Sequence, residues 1–239
     1  MRGFYEAFYT AVEHSEAHRA FCECVFGKDL GQHGFADLEQ LELLIEVAGL
    51  DYIPLAVEQA RRRTTAKSDR LAFEVGDINA LELPPGAFDL VLSIDSMYFS
   101  DDYSATIRAL KATLRPGGRM AIFFSYGREP WVAIEEFPAE KLPPEKTPLA
   151  EALEANSLVF RSWDLTANDY ELALRRQQVL AELRPRFEAE GNLFIHENRS
   201  GDAEGISQAL EAGLHARYLY LAASVSHAVA TRPISSRRS

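Results

Sequence analysis

The sequence predicts an α/β chain whose doubly wound sheet carries helices on both faces, and three observations predict it. Between Leu71 and Phe124, the short apolar runs LAFEV, LVLSI and RMAIFF alternate with breakers and with one stretch of helical period. Residues Leu90 to Ile94 are apolar almost without interruption, which marks a strand buried on both faces, as parallel strands are. Asp77 and Asp95 each follow a strand end directly. Open parallel sheets take their ligands beyond the carboxyl ends of their strands.

The elements follow in order. Phe4, Phe8, Ala11 and Val12, then Ala20, Phe21 and Cys24, give a helical period broken near Ser15. Gly27, Gly31 and Gly34 punctuate the next stretch. Reading Phe21–Phe26 as a strand before a phosphate-cradling loop is disfavoured. Glu23 would lie in a strand apolar on both faces, and the glycine spacing departs from G-x-G-x-x-G. Asp37 starts a helix with Leu38, Leu41, Leu44, Ile45 and Ala48 on one face, and Gly49 is its stop. Pro54 suits the first turn of a helix over Leu55–Arg63.

Leu71–Val75 is a strand, and Gly76-Asp77 turns it into a polar loop closed by Pro84, Pro85 and Gly86. After the strand Phe88–Ile94, a helix places Tyr103, Ile107, Leu110 and Leu114 on one face, and Arg115–Gly118 turns into the strand ending at Phe124. Pro130, Pro138, Pro143, Pro144 and Pro148 make Gly127–Pro148 an irregular excursion. Then come a helix over Leu149–Ala155, a strand at LVFRSWDLT, and one or two helices from Ala167 interrupted at Pro185. A helix over Gly205–Ala216 and a last strand RYLYLAAS complete the fold, and the polar tail Thr231–Ser239 is expected to be disordered. The whole reads as a single domain over 1–239: a helical arm over 1–50, a core over 51–125, an insertion with the last two strands over 126–230, and a tail over 231–239.

Composition narrows the function. A net charge of −11 argues against a nucleic-acid phosphate backbone as the main partner. No run of about 18 apolar residues occurs, so no spanning helix is expected. Glu6 and Glu13 near the N-terminus, without a signal-peptide core, point to the cytoplasm. Cys22 and Cys24, one residue apart, make neither a disulfide framework nor a usual metal pattern and read as structural thiols.

Four segments carry a family resemblance: Asp51-Tyr-Ile-Pro-Leu-Ala-Val-Glu-Gln-Ala, Gly76-Asp77-Ile78, Phe88-Asp89-Leu-Val-Leu-Ser and Leu114-Arg-Pro-Gly-Gly-Arg. In order and spacing they resemble consecutive motifs of class I S-adenosylmethionine-dependent methyltransferases, from Asp51 to Phe124, with a fainter echo to Ser224. The resemblance implies a Rossmann-like methyltransferase sheet, a helical lid inserted near the C-terminal strands, S-adenosylmethionine as cofactor and a small-molecule methyl acceptor. It casts Asp51 as acceptor for the ribose hydroxyls, flanked by Tyr52 and Ile53. Asp77, beside Gly76, would take the adenine amine, Ile78 would pack on the ring, and Ser93, Ile94 and Asp95 would complete the cofactor site.

His33-Gly34-Phe35 resembles a segment of the N-terminal arm that closes over cofactor and substrate; it can equally be a turn before the Asp37 cap. Tyr98 and His33 are the catalytic candidates, with Asp95 as a further base. Phe35, Tyr98, Tyr170 and Phe194 supply aromatic walls for the acceptor. His196 and His215 have no partner pattern and read as surface or helix-face histidines. Ser93-Ile-Asp-Ser stands where nucleic-acid amino-methylating enzymes carry Asn/Asp-Pro-Pro-aromatic, which removes that substrate class.

One departure stands out. The family's first strand, Gly-x-Gly turn, following helix and second strand are all expected ahead of Asp51, yet Leu50 joins straight onto it. A segment lying outside this chain, a genuine deletion and a misleading resemblance are the three explanations, the first preferred. The function read from the sequence is methyl transfer to a small molecule. The alternative is a non-catalytic binding or regulatory protein on the same fold.

Overall fold

Apolar runs pair and amphipathic ones pack in the computed structural model, which describes residues 2–27, 47–69, 71–127 and 142–224. The arm is two helices, α1 (Arg2–Glu13) and α2 (Glu16–Phe26), broken at Ser15 as the periodicity predicts. Strand β1 (Val47–Asp51) leads to α3 (Pro54–Arg63), β2 (Leu71–Val75) and β3 (Phe88–Ile94). Helix α4 (Tyr103–Thr113), β4 (Leu114–Gly127), α5 (Pro148–Ala155) and β5 (Leu158–Asp164) follow, then α6 (Thr166–Ala189), α7 (Leu193–Glu211) and β6 (His215–Ser224). No helix among the described residues is long and apolar enough to cross a membrane. The Thr231–Ser239 tail and most of the proline-rich excursion lie outside the described residues.

The strands form two sheets. β1 pairs in parallel with β2, with Asp51 opposite Val75, and β3 pairs in parallel with β4. β6 runs antiparallel between β4 and β5, giving the order β3-β4-β6-β5. Since both neighbours of β6 oppose it, β5 is parallel to β4. The carboxyl ends of β3, β4 and β5 therefore share one edge with the start of β6, and α6 and α7 are inserted at that edge.

Three expectations are corrected here. Leu50 and Asp51 are successive residues of β1, so the second strand expected to be missing ahead of Asp51 is present. Ala48 and Gly49 lie in that strand and not at a helix end. Gly49 faces the Phe73 ring so closely that a Cβ would meet it at 2.6 Å, which is why glycine stands there. The family's first strand is a different matter: α2 is helical to Phe26, and among the described residues no strand joins β1 to β3, so the sheet divides at that place.

Second, Arg115–Gly118 is not a turn ahead of the strand but a bulge within β4. The ladder steps from Phe88 opposite Leu114 to Leu90 opposite Arg119, helped by Gly117 at φ +85°. Third, α6 runs unbroken through Pro185, because Leu180 and Phe187 on either side of it are buried against the arm. The chain turns instead at Gly191, whose φ is +70°. The last helix starts at Leu193, twelve residues ahead of the expected Gly205.

Two apolar cores result. Ile107 and Leu110 of α4 and Leu149 and Leu153 of α5 pack on Met120, Ile122, Phe124, Tyr218 and Tyr220 of the larger sheet. The second core lies wholly between helices: Phe8 and Val12 of α1, Phe21 and Val25 of α2, Leu180 and Phe187 of α6 and Ile195 of α7. Arm and insertion are thus one helical body.

Ser15 joins its parts. Its Oγ accepts from the His18 N–H at 3.0 Å and donates to Glu190 Oε2 at 2.7 Å, while Glu190 Oε1 accepts from the Ala17 N–H at 2.8 Å. Ser15→Ala removes a buried cap and should cost about 1 kcal/mol in urea denaturation.

His18 is enclosed in this body, with Arg199 Nη2 3.2 Å from its Nε2. Burial, reinforced by the charges of Arg199, Arg63 and Arg176, pushes the imidazole down to about 2. A group depressed in the folded state contributes stability that is complete above its unfolded pKa and lost as pH falls toward the folded one. Stability should therefore decline below about pH 6.5 by up to about 1.4 kcal/mol per pH unit from this residue. A pH series of denaturation midpoints on His18→Gln should lack that component.

Candidate active site

The site grows from the strand ends. β1 stops at Asp51, whose Oδ1 accepts from the Ile53 N–H at 2.8 Å, a local turn that hands the chain to Pro54 at the start of α3. Ile53 is buried, whereas Tyr52 is exposed with the Arg2 guanidinium 5.9 Å above its ring. Burial raises the Asp51 carboxyl above the ordinary range, against the opposing pull of the Ile53 N–H. The Gly76 N–H donates to the Asp51 carbonyl at 3.0 Å, tying the end of β2 to that of β1. A Cβ on Gly76 would press on Leu50 at 3.3 Å.

Asp77 builds the next turn, with Oδ1 accepting from the Asn79 N–H at 2.8 Å. Asn79 then spans to the turn after β3. Its Nδ2 donates to the Phe99 carbonyl at 3.0 Å and its Oδ1 accepts from the Asp101 N–H at 2.8 Å. Ile78 rests half-buried on the sheet core. Sequence reading missed Asn79, whose only local signal is an asparagine in a polar loop.

At the end of β3, Ser93 is buried with its hydroxyl 2.7 Å from that of Ser96, and Ile94 is half-buried beside it. Asp95 has a φ of +52°, unusual for a residue with a side chain. Its carboxylate forms a two-armed ion pair with Arg217 of β6: Nη1 reaches Oδ1, and Nη2 donates to Oδ2 at 3.1 Å. Arg217 Nη1 also donates to Ser125 Oγ at 2.9 Å. Both carboxylate oxygens are engaged by the guanidinium, so the geometry does not favour Asp95 as proton acceptor.

Tyr98 lies in the turn Met97–Phe99, its ring 4.6 Å from Phe99. From there an aromatic row crosses to the helical body: Phe99 to Tyr5 at 6.5 Å, Tyr5 to Phe4 at 5.4 Å, and Phe4 to Phe194 at 6.0 Å. Tyr98 and Phe194 are thus the two ends of one row of ring contacts. Tyr170 stands apart, donating to Glu211 at 2.8 Å in a groove shared with Asp164, Thr166, Ala167 and Leu210. His33 and Phe35 lie outside the described residues.

The reading of His196 and His215 as surface or helix-face residues is overturned. Both are buried; His196 Nε2 is 3.1 Å from the Leu180 carbonyl, and His215 Nε2 is 3.4 Å from Asp169 Oδ2. Both partners come from α6, whereas His196 lies on α7 and His215 on β6, and no spacing in the sequence announces them.

Compared with known proteins, residues 29–122 match a family model described as a methyltransferase domain. Over that stretch the chain is similar to methyltransferase domains, and its fold is like that of solved S-adenosylmethionine-dependent methyltransferases.

Among curated proteins, demethylmenaquinone methyltransferase of Deinococcus radiodurans is 29% identical over 86 residues, 36% of either chain. The 27-O-demethylrifamycin SV methyltransferase of Amycolatopsis mediterranei is 34% identical over 80 residues, 33% of this chain and 29% of that one. The chain therefore spans about a third of the length of these relatives. Among solved structures, phosphoethanolamine N-methyltransferase 2 of Haemonchus contortus superimposes with a TM-score of 0.65 at 17% identity, over 75% of this chain and 43% of that one. The [4+2]-cyclase SpnF gives 0.57 at 19% identity, over 75% and 66%. Both show the fold. The methyltransferase domain match begins at residue 29, ahead of β1, so the likeness reaches back beyond the Asp51 motif at which the sequence comparison of motifs started.

Proposed function

We propose that this protein transfers a methyl group from S-adenosylmethionine to a small-molecule acceptor. The observation that carries the reading is that Asp51, Asp77 and Asp95 stand at the carboxyl ends of β1, β2 and β3 in a methyltransferase domain. The cofactor's needs fit these residues. Asp51 is a largely buried carboxylate, costly to keep ionised unless donors reach it, and a ribose diol offers two. Beside it, Tyr52 and Ile53 frame the sugar. Asp77 presents an acceptor to an adenine amine at the Gly76 turn, with Ile78 as the apolar surface under the ring. Ser93 and Ile94 floor the site.

Bound there, the cofactor supplies an activated methyl group whose sulfonium already holds the driving force. The chain's own residues then have to align the acceptor and exclude water. Tyr98 faces that task at the end of β3, with His33 of the arm as the second candidate. Either takes a proton only where the acceptor must lose one. The row Tyr98, Phe99, Tyr5, Phe4 and Phe194 supports an acceptor that is small and partly apolar, enclosed by the α6–α7 insertion acting as lid. Phe35 and Tyr170 are further candidates for its walls. The relatives' names point the same way, since demethylmenaquinone, rifamycin and phosphoethanolamine methylation all concern small molecules. A chain of net charge −11 is poorly suited to a nucleic-acid backbone.

Incubating the protein with methyl-labelled S-adenosylmethionine and a fractionated cell extract tests this directly. Label is expected in the low-mass fraction. Label confined to protein or nucleic acid would overturn the small-molecule assignment. The second reading is a non-catalytic protein on the methyltransferase fold. Cofactor binding separates the two.

A further inference from the structure

We propose that Arg217 is the positioning residue that seats the inserted helices α6 and α7 over the acceptor side of the site; "acceptor side" rests on the methyltransferase reading, the positioning itself does not. Arg217 is 2% exposed and reaches in two directions. Its guanidinium grips Asp95 at the end of β3 and Ser125 of β4, with Cζ 5.7 Å over the Phe123 ring. Its main chain grips the root of the insertion. The Arg217 carbonyl accepts from the Leu165 N–H at 2.8 Å, and its N–H donates to Thr166 Oγ1 at 3.2 Å, at the first residue of α6. Two residues earlier on β6, His215 faces Asp169 of the same helical turn at 3.4 Å.

One residue thus links the strand end that carries Tyr98's turn to the start of the lid. A buried guanidinium keeps its place only while its carboxylate partner is present, so loss of the pair is expected to loosen the main-chain grip beside it. Asp95, held at a positive φ, is fixed by the same pair.

The test compares the full-length wild type with Arg217→Met, Arg217→Lys, Asp95→Asn and the double variant Asp95→Asn/Arg217→Met. Amide exchange over residues 165–170 and binding of S-adenosylhomocysteine are read in each. Removing either partner alone strands a buried charged or polar group, whereas removing both relieves that penalty. The double variant should therefore recover thermal stability, yet still exchange roughly tenfold faster at 165–170. Arg217→Lys, which keeps one arm, should fall between. S-adenosylhomocysteine affinity should stay within about threefold in Arg217→Met and Arg217→Lys, a small change on the scale of binding energies.

Wild-type exchange at 165–170 in the double variant would overturn the proposal, since the pair would then matter only for burying its own charges. So would loss of S-adenosylhomocysteine binding in a folded Arg217→Met or Arg217→Lys variant, which would place Arg217 in the cofactor platform. If Arg217→Met fails to fold, Asp95→Asn and the double variant still decide. Should the wild type itself not bind S-adenosylhomocysteine, the methyltransferase reading fails while the exchange comparison still judges Arg217.

Discussion

Asp51→Ala weakens S-adenosylmethionine binding by about 1–3 kcal/mol, the range for hydrogen bonds to a charged group, or roughly 5- to 150-fold. The fold should not suffer for it. Burial raises the Asp51 carboxyl, so the charged form is disfavoured in the folded state. For a group raised in this way, the favourable contribution exists at low pH and is lost as pH rises through the folded pKa. At neutral pH the carboxylate is therefore a cost to folding. Asp51→Asn, which keeps the acceptor for the Ile53 N–H, should be at least as stable as the wild type. Calorimetry for affinity and urea denaturation for stability separate the two effects. Unchanged affinity in a protein that binds the cofactor would remove the ribose assignment.

Phe187→Ala costs about 3–5 kcal/mol of stability, the range for emptying a fully buried aromatic position. Phe187 lies on α6, but its core also holds Phe8 of α1 and Phe21 of α2. The substitution should loosen arm and insertion together, so limited proteolysis should cut in both. Cutting confined to α6 and α7 would contradict a shared core. The same packing changes how the lid can be tested: deleting α6 and α7 would expose the apolar faces of α1 and α2, so point substitutions such as those at Arg217 are the cleaner route.

What could be read from the sequence was what is encoded locally. β2, β3, α4 and β4 announce themselves through apolar runs, breakers and the face formed by Tyr103, Ile107 and Leu110. β1 did not, because VAGL continues the spacing of Leu41, Leu44, Ile45 and Ala48, and a short apolar run carries no periodicity of its own. Gly49 compounded the error: a glycine that admits the Phe73 ring is indistinguishable, in sequence, from one that ends a helix.

Pro185 misled for the opposite reason, since its local signal is strong and the burial of Leu180 and Phe187 outweighs it. Of the candidate site, Asp51, Asp77 and Asp95 were legible as acids after strands. Their partners were not. Arg217 meets Asp95 across 122 residues, and only the pairing of β6 with β4 brings them together. Asn79 likewise joins two turns 20 residues apart or more.

The central claim is that the strand ends of β1, β2 and β3 hold S-adenosylmethionine. Calorimetric titration of S-adenosylmethionine into the full-length protein tests it most directly. Saturable one-site binding that weakens in Asp51→Ala is the predicted result. A folded wild-type protein that gives no binding heat, and no rise in melting temperature with excess cofactor, would contradict the claim and leave the non-catalytic reading in its place.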